Sequence, residues 1–384
     1  MASRILSVAT ALPPHRLDAR EALVRLRRFF PQLERLEDGE GGLGARYLCE
    51  PVDALLQRRS LSDLRVSYLE HARRLAAAAG RNALRRAGVR GCEVDLVITV
   101  SCTGYLVPSL DVHFAAELGL PPDVLRLPIT ELGCSGGAAA LGFAHRHLSA
   151  FPDQTVLVIA VEVPSLNFQP ADASLDNLTA SLVFGDGAGA AVLGAPARSG
   201  TGLEVVRAAS YLVPGTAELL GFELRDSGFH VVLNRRLSRV VERELRPALE
   251  RFQVASELRT LDFVAAHAAG PRIFETMERA LGLSAGALDL SREVFLAVGN
   301  TSSAAIFFTL EKLIQRLGPT PATGLGLGLG PGISVELMHL AWTPSEHARD
   351  EASPVREGAA VAGRGVEQAL LVPDAVEQDG RVER

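Results

Sequence analysis

The chain has 384 residues, 47% of them hydrophobic and 22% charged, with a formal net charge of −6. That is an ordinary globular mix, long enough to bury a large core without disulfide staples, and its acidic balance disfavours a nucleic-acid groove, whose phosphates need a basic surface. No run reaches the about 18 apolar residues of a membrane span. The opening MASRILSVATALPP has no basic stretch followed by a long apolar one, so no signal peptide is expected. The four cysteines, Cys49, Cys92, Cys102 and Cys134, form no C-x-x-C pair. A zinc ribbon is therefore excluded and a reducing, cytoplasmic setting expected. Lys312 is the only lysine, so any phosphate contact must use arginine or backbone amides.

In chain order, residues 21–36 and 66–88 have helical spacing, rich in Arg and Ala. Glu93–Cys102 is a β-branched run that reads as a buried strand, and Thr155–Val163 reads the same way. Cys102 and Cys92, at the ends of the first of these, read as core. Between the strands lies Glu-Leu-Gly-Cys-Ser-Gly-Gly-Ala-Ala-Ala-Leu, with Cys134 at its centre. Its glycines permit a sharp turn and close backbone approach, and the alanines start a helix. Cys134 thus stands at a helix N-terminus, where the dipole is expected to lower its pKa. FGDGAGAAVL (184–193) and GLGLGLGPGISVEL (324–337) combine glycines with strands. Neither is a P-loop, since no Gly-Lys-Ser/Thr follows, and the second is followed by Pro331 rather than a helix, so it is no dinucleotide fingerprint. A tight turn packing near a cavity is the better account. His267 ends a strand in Ala-Ala-His-Ala-Ala-Gly-Pro, with Pro271 suited to the first turn of a helix. Asn300 lies in Val-Gly-Asn-Thr-Ser-Ser-Ala-Ala, where an N-cap is the plain alternative. From residue 344 the chain is polar and aperiodic, and a disordered tail is expected over 344–384.

The alternation of helix and strand reads as α/β, and two internal matches point to duplication. Residues 95–120 and 262–283 both run Asp, strand, small-residue loop, helix, Leu-Gly-Leu, and ELGCSGGAAAL (131–141) pairs with LAVGNTSSAAIF (296–307). Asp95 to Cys134 is 39 residues and Asp262 to Asn300 is 38. Two halves are expected, 1–197 with the cysteine and 198–343 with His267 and Asn300. A pseudo-twofold would set Asn300 opposite Cys134. Together the three suggest a thiol acylated by a thioester, with His and Asn donating to a carbonyl oxygen as it gains charge; one such donor is worth about 10²–10³ in rate. His267 beside the cysteine could also steady a thiolate as an ion pair.

The set ELGCSGG, FGDGAGA, HAAGP, GNTSSA and GLGPG, in this order over residues 1–343, resembles the type III polyketide synthases, the chalcone synthase-like branch of the thiolase fold. The resemblance implies a homodimer of αβαβα subunits that condenses malonyl-CoA onto an acyl-CoA starter with no metal or redox cofactor. It puts the nucleophile on Cys134 and the catalytic His and Asn on His267 and Asn300. One gating Phe falls on Phe184; the other falls on Val231, where plant enzymes have Phe. Asn167 and Ser302 fall on pocket positions, and the backbone that meets CoA falls near Arg272. The plant HPGGP loop is HAAGP here. The plant cluster that grips the CoA phosphate is thin, with only Arg28, Arg35 and Arg46, which leaves room for a starter bound to an acyl carrier protein. SCTGYLVPSLDVH and RLPITELGCSGG are similar to bacterial members that use long-chain fatty acyl starters and make alkylpyrones or alkylresorcinols. Three alternatives stay open: a ketoacyl synthase III-type enzyme making one condensation on acyl carrier protein, which usually has His-Gln-Ala-Asn where this chain has His-Ala-Ala-Gly; a non-catalytic scaffold of the same fold; and a papain-like protease, disfavoured because the single Trp342 is far from any cysteine.

Overall fold

The computed structural model describes residues 2–30, 43–194 and 202–344. Arg35, the expected boundary between the halves, and 345–384 of the expected tail lie outside them. The first half contributes strands β1 (Ser3–Ala11), β2 (His15–Leu17), β3 (Arg46–Leu48), β4 (Leu96–Val100), β5 (Leu125–Ile129), β6 (Val156–Glu162) and β7 (Gly187–Gly194). Its helices are α1 (Ala19–Leu26), α2 (Val52–Leu55), α3 (Leu61–Ala87), α4 (Leu110–Phe114), α5 (Gly136–Ala150) and α6 (Leu175–Val183). The second half contributes β8 (Gly202–Leu212), β9 (Leu220–Arg225), β10 (Gly228–Leu233), β11 (Phe263–Ala266), β12 (Ala322–Gly330) and β13 (Ser334–Thr343), with α7 (Leu237–Ser256), α8 (Pro271–Leu281), α9 (Asp289–Val298) and α10 (Ala305–Arg316). The expected strands at 93–102 and 155–163 appear as β4 and β6, and the helix at 66–88 as the longer α3. That helix starts at a Ser60–Asp63 capping box and ends on the left-handed Gly88.

Nine strands join in the order β11-β12-β13-β8-β1-β7-β6-β4-β5. Outward from the β1–β8 junction both arms repeat one pattern, two antiparallel pairings and then a parallel one. One arm is β1-β7-β6-β4 and the other is β8-β13-β12-β11. The strand order is thus a palindrome, the topological mark of duplication. The first arm alone carries a further strand, β5, parallel to β4; at the same point of the second half the chain forms α9. Helices α5 and α10 touch strands of both arms, α3 covers the outer face of the first arm, and α7 covers that of the second. The layers are αβαβα. The central strands read as continuous apolar runs because both faces are covered: every residue of β6 and β7 is buried. The glycines of FGDGAGA let α10 settle on β7, since a Cβ on Gly189 would lie 2.3 Å from that of Phe307. No helix among the described residues is long and apolar enough to cross a membrane.

Candidate active site

The two matched corners meet where α5 and α10 begin. Cys134 lies in a 3-10 turn, Gly133–Ser135, that runs into α5, and Asn300 precedes the equivalent turn, Ser302–Ala304, that runs into α10. Small residues make the meeting possible. A Cβ on Gly137 would sit 2.0 Å from the Ser303 carbonyl oxygen. Gly133 has φ +52°, and a Cβ there would lie 2.5 Å from the Pro331 ring. The GLGPG loop is therefore the packing turn behind the cysteine.

Cys134, His267 and Asn300 line one cavity of about 660 Å³, with Phe184 and Arg272. His267 follows β11; its Nδ1 accepts from the Leu329 amide at 3.3 Å. That bond puts the ring proton of the neutral imidazole on Nε2, the nitrogen left to face the cavity. Asn300 is fixed at both ends of its amide: Oδ1 accepts from the Ser302 amide at 2.8 Å, and Nδ2 donates to the Ala269 carbonyl at 3.1 Å, with one N–H to spare. Its backbone is pinned to the gate, because Asn300 N–H donates to Val183 and the Asn300 carbonyl accepts from Gly185, on either side of Phe184.

Burial, not the helix dipole, dominates the thiol. Desolvation pushes Cys134 up to about 11; the Ser302 hydroxyl, 3.3 Å from its sulfur, works the other way, and buried Glu162 adds to the rise. The expected lowering is thus reversed. Burial also holds His267 down to about 4. Burial therefore favours the neutral form of both groups and works against an ion pair.

The remaining expected residues separate into two groups. Ser302 stands at the nucleophile, with φ +51°, a conformation costly for a non-glycine residue and held here by the bond to Asn300. Asn167 and Val231 lie elsewhere, in the wall of a second, apolar cavity of about 80 Å³ with Leu48, Leu55 and Phe168. Phe184 lines both cavities and is the partition between them. The Asn167 amide donates to the Thr103 carbonyl at 2.9 Å. Arg272 is exposed at the mouth of the larger cavity. Arg46 does not reach that mouth. It is 2% exposed, its guanidinium donates to the Ser181 carbonyl, and burial lowers it to about 10; of the thin basic cluster only Arg28 is described and exposed.

Two residues escaped the sequence reading. Cys102, read as core, has its sulfur 3.6 Å from the Ser302 hydroxyl, so one serine touches both thiols. Its companion Cys92 is exposed, not core. Glu162 is fully buried, and its carboxyl accepts from the amides of Cys102 and Thr103, the Thr103 hydroxyl and Ser303. Burial raises its pKa. It ties the end of β6 to the segment that follows β4 and to the α10 corner. The available signals were a cysteine just past a strand's carboxyl end and a lone acid closing an apolar strand.

Comparisons with known proteins agree with this architecture. The family profile "Chalcone and stilbene synthases, N-terminal domain" matches residues 52–197, and its C-terminal counterpart matches 204–343. The 1,3,6,8-tetrahydroxynaphthalene synthase of Streptomyces coelicolor is 32% identical over 373 residues, covering 94% of this chain and 97% of that protein. Its crystal structure superposes with a TM-score of 0.83 at 31% identity, over 89% of this chain and 100% of that one. The alpha-pyrone synthesis polyketide synthase-like Pks18 of Mycobacterium tuberculosis is 31% identical over 306 residues, 76% of this chain and 78% of that protein.

Proposed function

The chain belongs to the chalcone and stilbene synthase family and is a type III polyketide synthase, and we propose that it primes Cys134 with a long-chain fatty acyl group and extends it with malonyl-CoA to an alkylpyrone or alkylresorcinol. One observation carries the choice of starter: the apolar cavity beyond Phe184, with Val231 in its wall at the second gating position, where plant enzymes have Phe. An alkyl chain passing the Phe184 partition would gain about 0.8 kcal/mol per buried CH₂. The cavity of about 80 Å³ would widen as the chain displaces the leucines around it.

The chemistry follows from the proton positions. The Cys134 thiol attacks the acyl thioester; the acyl–sulfur bond to CoA breaks, the acyl–Cys134 bond forms, and the thiol proton leaves with CoA. Malonyl-CoA then enters with its thioester carbonyl against His267 Nε2–H and the spare Asn300 N–H. Its carboxylate departs as CO₂ and the electron pair becomes an enolate, whose oxygen these two donors stabilise. Both donate without titrating near neutrality, His267 because burial keeps it neutral and Asn300 by nature. The enolate attacks acyl-Cys134: the new carbon–carbon bond forms, the acyl–Cys134 bond breaks, and the cysteine leaves as a thiolate that regains a proton from solvent. The lengthened chain, now on CoA, reloads it for the next round. No metal or redox cofactor enters this sequence. The enzyme would work as a homodimer on CoA thioesters.

A second reading has its own support. Tetrahydroxynaphthalene, the product named for the Streptomyces relative, carries no alkyl chain, so a product built from C₂ units alone is the rival. Product mass separates them. Incubation with malonyl-CoA and acyl-CoA starters from acetyl to about twenty carbons, read by LC–MS, should give starter plus two or three C₂ units, best with long chains. Val231→Phe should shift the optimum toward shorter starters, and Cys134→Ala should carry no acyl group. Product from malonyl-CoA alone, indifferent to added starter, would establish the rival; a single C₂ addition on carrier protein only would point to a ketoacyl synthase.

A further inference from the structure

Helix α7 and the residue that caps it, Arg236, carry a row of arginines that the condensation chemistry leaves unused. Arg236, Arg239, Arg243 and Arg246 recur at intervals of three and four and are all exposed, so they form one ridge. Val241, Leu245, Leu249 and Phe252 hold the opposite face in the core. The ridge starts where Arg235 and Arg272 rim the catalytic cavity and runs outward for about 15 Å at the helical rise. Among the described residues no ion pair engages Arg235, Arg236, Arg239 or Arg272. Arg243 pairs with its neighbour Glu244, and Arg246 lies 4.0 Å from Glu250. A free CoA thioester would bring its phosphates to the mouth, within reach of Arg235 and Arg272, and leave the outward ridge idle. In a chain of net charge −6, that concentration of cations calls for a larger anionic partner.

We propose that α7 is the docking ridge of an acidic acyl carrier protein, which lays an acidic helix along Arg236–Arg246 and passes its phosphopantetheine arm between Arg235 and Arg272 to Cys134. The ridge is one side chain wide and bordered by Glu242, Glu244 and Glu250, so it fits a narrow acidic helix and would repel a flat anionic bilayer. The transfer balances: the acyl–sulfur bond to the arm breaks, the acyl–Cys134 bond forms, and the Cys134 proton passes to the arm's thiolate. This inference rests on the reading of Cys134 as acyl acceptor.

The test compares two donors on the full-length protein, a long-chain acyl-CoA and the same acyl group on a bacterial acyl carrier protein, with acylation of Cys134 followed by intact mass. Arg239→Glu/Arg243→Glu lies outside the cavity lining. It should slow loading from the carrier by about tenfold or more, as reversal of rim charges does, and leave loading from CoA within about twofold. Raised salt should slow only the carrier reaction. Wild type loading from CoA but not from the carrier would overturn the docking proposal alone. Equal loss with both donors, or no loss with either, would overturn it too. Loading from neither would overturn the acceptor role of Cys134 itself. Unchanged carrier loading in the variant, together with lost binding to phosphatidylglycerol vesicles, would reassign the ridge to a membrane.

Discussion

At the scale of single residues, His267 links the chemistry to stability. Its imidazole is neutral in the fold down to about pH 4, against an ordinary value of 6.5. Below that ordinary value the unfolded chain binds a proton that the folded chain refuses. Stability should therefore be fully present above the ordinary value and fall as pH drops toward the folded one, by on the order of 3 kcal/mol. Denaturant unfolding at about pH 5 and about pH 7 should show the loss, and His267→Gln should flatten it; an unchanged profile in the variant would place its source elsewhere. The three cavity residues were legible as residue types because each sits in a short glycine-marked corner. Their protonation was not. The N-terminal position of Cys134 suggested a lowered pKa, whereas desolvation depends on how far α5 and α10 bury the corner. Cys102 was illegible for a related reason, since a cysteine after a strand looks the same whether it faces a core or another thiol.

At the scale of elements, the contact between α5 and α10 sets the site. Gly137→Ala tests it, because two effects oppose. Alanine favours the helix by up to about 1 kcal/mol over glycine, but its Cβ would sit 2.0 Å from the Ser303 carbonyl oxygen, and overpacking costs about 1–3 kcal/mol. The clash concerns backbone, which cannot step aside alone, so it wins. The variant should melt at a lower temperature and lose acyl loading as Ser302 and Asn300 shift; a melting temperature at or above wild type would show that the corners have room. The strands and the α5 corner could be read from β-branched runs and glycines. The hairpin β9–β10, which brings Val231 and Phe222 to the second cavity, could not, since its residues alternate weakly and its place depends on α6 across the gap.

At the scale of the whole molecule, β5 is one of the two outermost strands of the sheet. Leu125 is 54% and Leu127 38% exposed, and Tyr105, Val107 and Val112 are exposed on the loop and helix that Arg126 ties to it through Asp111 and Ser109. An open apolar edge invites pairing, and a second copy is the partner expected there. Light scattering should give twice the chain mass, and Leu125→Asp/Leu127→Asp should give the monomer; a dimer that survives this double change would be built on another face. The repeat was legible because two sequence matches kept nearly one spacing, but the edge was not, as the short run Leu125–Ile129, interrupted by Arg126 and Pro128, carries no clear strand pattern. The palindromic sheet carries one more consequence. Two identical halves, paired as separate chains, would present the same side chain at both corners, two cysteines or two asparagines. A thiol facing an amide is a difference that two copies of one half-length chain cannot hold, because each copy of the corner must be spelled independently. Division of labour between the corners is therefore information that no symmetric pair of half-length chains could hold.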